Sequence, residues 1–199
     1  MSPLLLGALA LAGIMVASRA MASRDFTAPG MTELGPAALL VALEELEVQV
    51  SEDLGHNDGQ RIRLYWEGTG LGPPSNWCAA FTRWCLHRAA ERTGLPLTVQ
   101  GSPGAKATME QFRAAGRWIP VEALRRWPEL LQPGMVPVWD RSVAGRPETS
   151  WWGHIGFCSE GVSGGAFATV EGNSGATGTE VAAMARTLGD PRLLGAGVP

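Results

Sequence analysis

The amino-acid sequence predicts an α+β fold in which N-terminal helices pack on a small antiparallel β-sheet. Apolar residues recur at helical spacing, between glycine or proline boundaries, in the segments 35–50, 61–66, 77–92 and 106–115. Short apolar runs typical of strands occupy 135–139, 154–158 and 166–171, with a last strand near 181–187 or 193–196. Helices that precede strands favour this class over an alternating α/β arrangement.

Local chemistry sets the boundaries of these elements. Pro36 suits the first turn of a helix, where the N–H groups have no partner within the helix, and so starts the segment 35–50. Gly94 and Gly116 end the third and fourth helices, because glycine readily adopts the left-handed conformation that closes a helix. The strands lie between glycine-rich or polar stretches such as 161–165.

The composition indicates one globular domain, which we place at 34–199. The chain has 199 residues, of which 45% are hydrophobic and 18% charged, and this is enough apolar material for a single core. The net charge of −3 and the absence of a basic run argue against a nucleic-acid binder.

The first 22 residues have the composition of a targeting segment. The run from Pro3 to Ala17 is apolar and almost uncharged, and Ala20-Met21-Ala22 offers a small-x-small cleavage site. We therefore expect a signal peptide at 1–22 and export to the periplasm or the medium. No Lys or Arg precedes the run, so an uncleaved membrane anchor through residues 3–17 is the alternative. Residues 23–33 are polar and are expected to form a linker.

Cys78 is the strongest candidate for a reactive residue. It lies at the start of the predicted helix 77–92, with Asn76 as the expected N-cap. Unpaired N–H groups and the helix dipole favour a thiolate at this position. Cys85 lies further along the same helix and is expected to be a small buried hydrophobic residue.

A thiolate nucleophile needs a base, and the chain has three histidines. His87 lies in the same helix as Cys78 but roughly 13 Å further along its axis, beyond reach of the thiol. His56 lies in a polar turn. His154 begins a predicted strand, which can present an imidazole to a helix packed on it, so His154 is the candidate base.

Glu171 and Asn173 are the candidate orienting groups for His154. They follow the predicted strand 166–171, and the two-residue period of a strand places them on one side of the chain. Either could accept the second ring N–H of His154, and an amide could also donate to an oxyanion. The alternative is a polar turn that closes a hairpin.

Three motifs in this order resemble a known family. Trp77-Cys78-Ala79-Ala80-Phe81, Gly153-His154-Ile155-Gly156 and Val170-Glu171-Gly172-Asn173 are similar to the CHAP domain, a cysteine, histidine-dependent amidohydrolase/peptidase of the papain-like superfamily. The resemblance implies a papain-like fold and cleavage of an amide or peptide bond in peptidoglycan, in the stem peptide or cross-bridge. It also implies Cys78 as nucleophile, His154 as general base and then acid, Glu171 as orienter, and Asn173 as a further polar group.

The sequence predicts no metal and no cofactor. Some CHAP domains bind calcium through an acidic loop ahead of the nucleophile, but oxygen ligands are sparse and irregular in the corresponding stretch 51–59. Zinc is not expected, because the histidines and cysteines are isolated rather than paired at ligand spacing.

Two tryptophans are candidate substrate contacts. Trp77 adjoins the thiol in sequence, and Trp152 lies just before His154, so we expect both to line the cleft. Packing in the core or at its rim is the alternative for any of these rings.

Two further alternatives remain open at this stage. The same cleft in a catalytically silent protein would bind cell wall or a partner protein. Cys85 and Cys158 could form a disulfide if the predicted strand 154–158 runs in the same sense as the Cys78 helix; otherwise both are buried, reduced thiols. Cys78 and Cys85 cannot pair, since roughly 10.5 Å of helix separates them.

Overall fold

The structure is a computed structural model that describes residues 28–199. In this range the chain forms five α-helices: α1 (Leu34–Glu47), α2 (Gln60–Tyr65), α3 (Cys78–Thr93), α4 (Ala105–Ala114) and α5 (Val121–Arg126). Short 3-10 helices lie at Pro128–Leu130 and Pro147–Thr149. None of the helices in residues 28–199 is long and apolar enough to cross a membrane.

The strands form two antiparallel sheets. They are β1 (Trp118–Pro120), β2 (Val136–Asp140), β3 (Gly153–Ile155), β4 (Phe157–Ser163), β5 (Ala166–Ser174), β6 (Glu180–Thr187) and β7 (Leu193–Gly197). One sheet has the order β1-β7-β2-β3, and the other has the order β4-β5-β6. The predicted α+β class is confirmed.

Helix α3 packs against α1 and α2 and also contacts β5 of one sheet and β3 of the other. The ring of Tyr65 packs against Trp77, Phe81 and Trp84, with centroid distances of 5.7, 5.3 and 5.1 Å. All four side chains are buried. This aromatic cluster fixes the first turns of α3, and Cys78 is the first residue of that helix.

The structure differs from the prediction at two points near the candidate site. The predicted strand 154–158 is interrupted at Gly156, so β3 and β4 belong to different sheets. The expected N-cap was Asn76, but α3 begins one residue later: Trp77 is the N-cap residue, and no side chain caps the helix.

The three cysteines are free thiols, so the disulfide considered for Cys85 and Cys158 is not formed. The disulfide was considered on the basis of one continuous strand over 154–158, and the break at Gly156 divides that segment between two strands. Cys85 belongs to the core cluster around α3, and Cys158 belongs to the second core cluster beneath α5 and β7.

The predicted targeting segment 1–22, including the candidate anchor 3–17, lies outside the described residues. The described part of the predicted linker, 28–33, contacts the last residue of the sequence and Arg117. Thr32 Oγ1 donates to the Pro199 carbonyl at 2.6 Å, and Arg117 Nη2 donates to the Gly30 carbonyl at 3.0 Å.

The absence of a side chain at Gly172 lets α3 lie directly on β5. A Cβ atom built there would lie 2.7 Å from Trp77 Cζ3 and 2.8 Å from Phe81 Cβ. Both neighbours are fully buried, and Phe81 Cβ is fixed to the helix backbone, so neither has room to move.

We expect Gly172→Ala to destabilise the protein by about 1–3 kcal/mol, because the added methyl group overpacks the contact between α3 and β5. Denaturant unfolding of the two proteins measures the difference. Gly72→Ala is the matched control, since a Cβ atom at Gly72 meets nothing within 4 Å. Equal stability of the Gly172→Ala and Gly72→Ala proteins would contradict the role of this contact.

Candidate active site

The thiol of Cys78 lies at the N-terminal end of α3, as the sequence predicts. The residue has 6% of its surface exposed, whereas Cys85 and Cys158 have 0%. The Ala79 backbone N–H at the start of the helix interacts with the sulfur. The helix start therefore presents a partial positive charge to this thiol alone among the three cysteines.

His154 is buried on β3, where it pairs across the ladder with Trp139 of β2. Its Nε2 donates a hydrogen bond of 2.6 Å to Glu171 Oε2 on β5. This bond places the ring proton on Nε2 in the neutral tautomer, so Nδ1 is left to accept a proton. Nδ1 is buried and makes no hydrogen bond of standard geometry with any described residue.

Glu171 is fully buried and its carboxylate is held from several sides. In addition to the bond from His154 to Oε2, the other oxygen, Oε1, accepts hydrogen bonds from Thr169 Oγ1 at 2.6 Å and from Arg186 Nε at 2.7 Å. Oε2 accepts hydrogen bonds from Ser174 Oγ at 3.0 Å and from Arg186 Nη2. A bidentate guanidinium and two hydroxyl groups fix the plane of the carboxylate, and the carboxylate in turn fixes the imidazole.

The charges in this network are coupled. Burial opposes ionisation of Glu171, but its bonds to His154 and Arg186 outweigh burial and hold its pKa well below the ordinary value. Burial likewise opposes protonation of His154, yet the neighbouring Cys78 sulfur and then Glu171 raise the pKa of the imidazole above 6.5.

The pKa of Cys78 moves in the opposite direction. Burial raises it, but the interaction with His154, the positive charge of Arg141 and the Ala79 N–H together bring it below the ordinary thiol value of 9.0. A lowered thiol pKa beside a raised imidazole pKa favours a thiolate–imidazolium pair, which is the reactive form of a cysteine nucleophile.

Gly156 allows the strand of His154 to approach Glu171. A Cβ atom built at Gly156 would lie 2.5 Å from Glu171 Cγ and 2.9 Å from the Val170 carbonyl oxygen. The turn between β3 and β4 therefore passes against the base of the Glu171 side chain. This close passage brings His154 within hydrogen-bonding distance of the carboxylate.

Asn173 takes a different place from the one expected. A bulge follows Glu171 in β5, and Asn173 has a left-handed backbone with φ of 54°, so the two-residue alternation stops. Its Oδ1 accepts from the Trp77 backbone N–H at 3.2 Å, and its Nδ2 donates to Asn57 Oδ1 at 3.0 Å and to the Gly178 carbonyl at 2.7 Å. Asn173 thus supports the turn that carries Cys78, while Ser174 is the residue that bonds to Glu171.

The two predicted substrate tryptophans differ in exposure. Trp77 is fully buried in the aromatic cluster, and its Nε1 donates to Glu52 Oε1 at 3.0 Å. The structure therefore assigns Trp77 to packing, and its expected place as a wall of the cleft is corrected. Trp152 is 40% exposed and lies against the still more exposed Trp151, with a ring-centroid distance of 6.3 Å. Its ring is available to a ligand.

Among residues 28–199 no group of three or more His, Cys, Asp or Glu side chains is arranged to hold a metal ion. The carboxylates of the stretch 51–59 make bonds within the protein. Glu52 and Asp53 each accept a backbone N–H, from Asn57 and Gln60, at 2.9 Å. Asp58 forms an ion pair with Arg63 at 2.7 Å.

Sequence reasoning missed four residues of the site. Thr169 could have been found, because it lies two residues before Glu171 on the same face of β5. Arg186 and Ser174 depend on the β5-β6 register and on the bulge, and neither can be read from local composition. Arg141 follows β2 in a loop whose course the sequence does not specify.

No protein-family model, no curated protein and no solved structure matches this chain. Evidence for its function therefore comes from the geometry of the site and from the motifs in the sequence.

We expect Cys78 to be alkylated by iodoacetamide faster than Cys85 and Cys158 in the folded protein, with a rate that rises at a pH below the ordinary thiol pKa. Cys78 alone has a lowered pKa; burial raises that of Cys158 to about 12 and that of Cys85 well above its ordinary value. Mass spectrometry of digests from a pH series measures the three rates. Similar rates at the three cysteines would contradict the electrostatic account.

Proposed function

We propose that this protein is an exported cysteine hydrolase of the CHAP type that cleaves an amide or peptide bond in peptidoglycan. The observation that carries the proposal is the buried chain of contacts that runs from Arg186 through Glu171 to His154, next to a thiol of lowered pKa at a helix start. We also propose that the arrangement of α3 against the β-sheets is papain-like.

In the proposed reaction, the Cys78 thiolate attacks the carbonyl carbon of the scissile amide. The His154 imidazolium then gives its proton to the leaving amine, and a thioester to Cys78 remains. A water molecule loses a proton to His154 Nδ1 and attacks the thioester, which releases the carboxylic acid and restores the thiolate. Each proton taken up by the imidazole is returned, so the cycle is balanced.

Glu171 supports both halves of this reaction without changing its own charge. Its lowered pKa keeps it ionised across the working range, and its bond to Nε2 keeps Nδ1 as the nitrogen that exchanges protons with substrate and thiol. Unpaired N–H groups at the start of α3 are suited to stabilise an oxyanion at the substrate carbonyl.

The charge requirement predicts the shape of the pH profile. The low-pH limb reports ionisation of Cys78, and its lowered pKa moves this limb below that of a free thiol. The high-pH limb reports loss of the His154 proton, and its raised pKa moves this limb above pH 6.5. Activity is expected between these limits.

The direct test is digestion of purified peptidoglycan followed by mass analysis of the released fragments. We expect Cys78→Ala and His154→Ala to lower turnover by at least roughly 10³-fold, because each removes a member of one catalytic unit. Glu171→Gln should retain measurable activity, because a neutral amide still holds the ring in part.

Cys158→Ala is the matched control, since it removes a buried thiol from the second core cluster and should leave turnover unchanged. Wall degradation by folded Cys78→Ala protein would overturn the assignment of the nucleophile. Wild-type protein that binds peptidoglycan without releasing fragments would favour the catalytically silent alternative.

A further inference from the structure

The face of the β2-β3 ladder that carries His154 continues beyond the end of the two strands. Trp139 pairs with His154 and Asp140 pairs with Gly153 in antiparallel register. The Arg141 N–H then donates to the Trp152 carbonyl at 3.1 Å, which extends the pairing by one residue. Opposed residues share a face and the faces alternate along a strand, so Arg141 and Trp152 lie on the face of His154.

Arg141 is an uncompensated cation at this place. It is exposed, and its side chain makes no hydrogen bond or ion pair with the residues in 28–199. The neighbouring cations are paired: Lys106 with Asp140 at 2.6 Å and Arg146 with Glu148 at 2.8 Å. The protein as a whole has a net charge of −3, but an unpaired guanidinium beside the site attracts anions locally.

Arg141 also lies within electrostatic reach of the nucleophile. After burial and His154, its positive charge is the next influence on the pKa of Cys78, and it acts to lower it. Arg141 and the exposed indole of Trp152, which is paired with it across the ladder, thus form a rim on the His154 face, with one cationic and one apolar component.

We propose that Arg141 and Trp152 form a substrate subsite that binds a carboxylate close to the scissile bond, with the guanidinium on the carboxylate and the indole on the adjacent apolar part. This inference deepens the proposed hydrolase function and rests on it for the identity of the substrate. Peptidoglycan stem peptides carry free carboxylates near their amide bonds, and so they present the required group.

The first test compares two reagents that differ only in this group. Iodoacetate and iodoacetamide both transfer a two-carbon unit to the thiolate and release iodide, but only iodoacetate carries a carboxylate. We expect the ratio of the iodoacetate rate to the iodoacetamide rate at Cys78 to fall roughly fivefold in Arg141→Gln. A change in the thiolate fraction affects both rates equally, so the ratio isolates the attraction of Arg141 for the carboxylate.

Arg192→Gln is the matched control, because Arg192 is an exposed arginine whose side chain also has no partner in the described chain. It makes the same change in net charge and should leave the ratio unchanged. An unchanged ratio in Arg141→Gln, or an equal fall in Arg192→Gln, would overturn the subsite. The effect of Arg141 should also weaken as salt is added.

The second test does not depend on thiol reactivity. Muropeptides with free stem carboxylates, and the same muropeptides with those carboxylates converted to amides, are titrated into Cys78→Ala protein by calorimetry. We expect the free carboxylate form to bind roughly fivefold more tightly, and Arg141→Gln in the same background to abolish the difference.

The two proposals fail in distinguishable ways. A preference for free carboxylates that depends on Arg141, in a protein whose wild-type form releases no fragments, would support the subsite and reject the hydrolase. Turnover by the wild-type protein with equal affinity for both muropeptide forms, or with no binding of either form, would reject the subsite and leave the hydrolase standing.

Discussion

The buried carboxylate of Glu171 is the interaction on which the site depends. An ionised carboxylate with 0% exposure is tolerated only where several donors replace its water shell. His154, Arg186, Thr169 and Ser174 are those donors. Because the folded-state pKa of Glu171 lies below its ordinary value of 4.5, the network stabilises the protein above that pH, and this contribution is lost as the pH falls.

The network also explains why the site is assembled from distant parts of the chain. Glu171 and Ser174 come from β5, Arg186 from β6 and His154 from β3, while Cys78 comes from α3. Two glycines make their approach possible: Gly156 lets β3 pass against Glu171, and Gly172 lets α3 lie on β5. The position of the thiol relative to the imidazole is therefore set by backbone contacts as much as by side-chain bonds.

The sequence predicted the parts of this site that have local signals. Helical periodicity and the motif around Cys78 located the helix start within one residue, and elimination among three histidines selected His154. Alternation in β5 predicted that Glu171 would face the site. The same alternation failed for Asn173, because a bulge and a left-handed residue interrupt it. Gly and Asn favour turns, but the sequence does not specify the residue at which the alternation stops.

Features that depend on tertiary contacts could not be predicted from the sequence. The role of Arg186 depends on the register between β5 and β6. The burial of Trp77 depends on Tyr65 and Phe81 packing around it. The break at Gly156 places His154 and Cys158 on different strands. The disulfide between Cys85 and Cys158 was considered on the basis of one continuous strand, and it is not formed.

The central claim is that the buried carboxylate and the thiolate together hold His154 in its charged form. An NMR titration of the His154 imidazole, assigned by its absence in His154→Gln, tests this directly. We expect a pKa above 6.5 in the wild-type protein and a lower pKa in Cys78→Ser, since burial lowers the pKa of the imidazole and the Cys78 thiolate is one of the two groups that raise it. A wild-type pKa at or below 6.5, or the same pKa in both proteins, would contradict it.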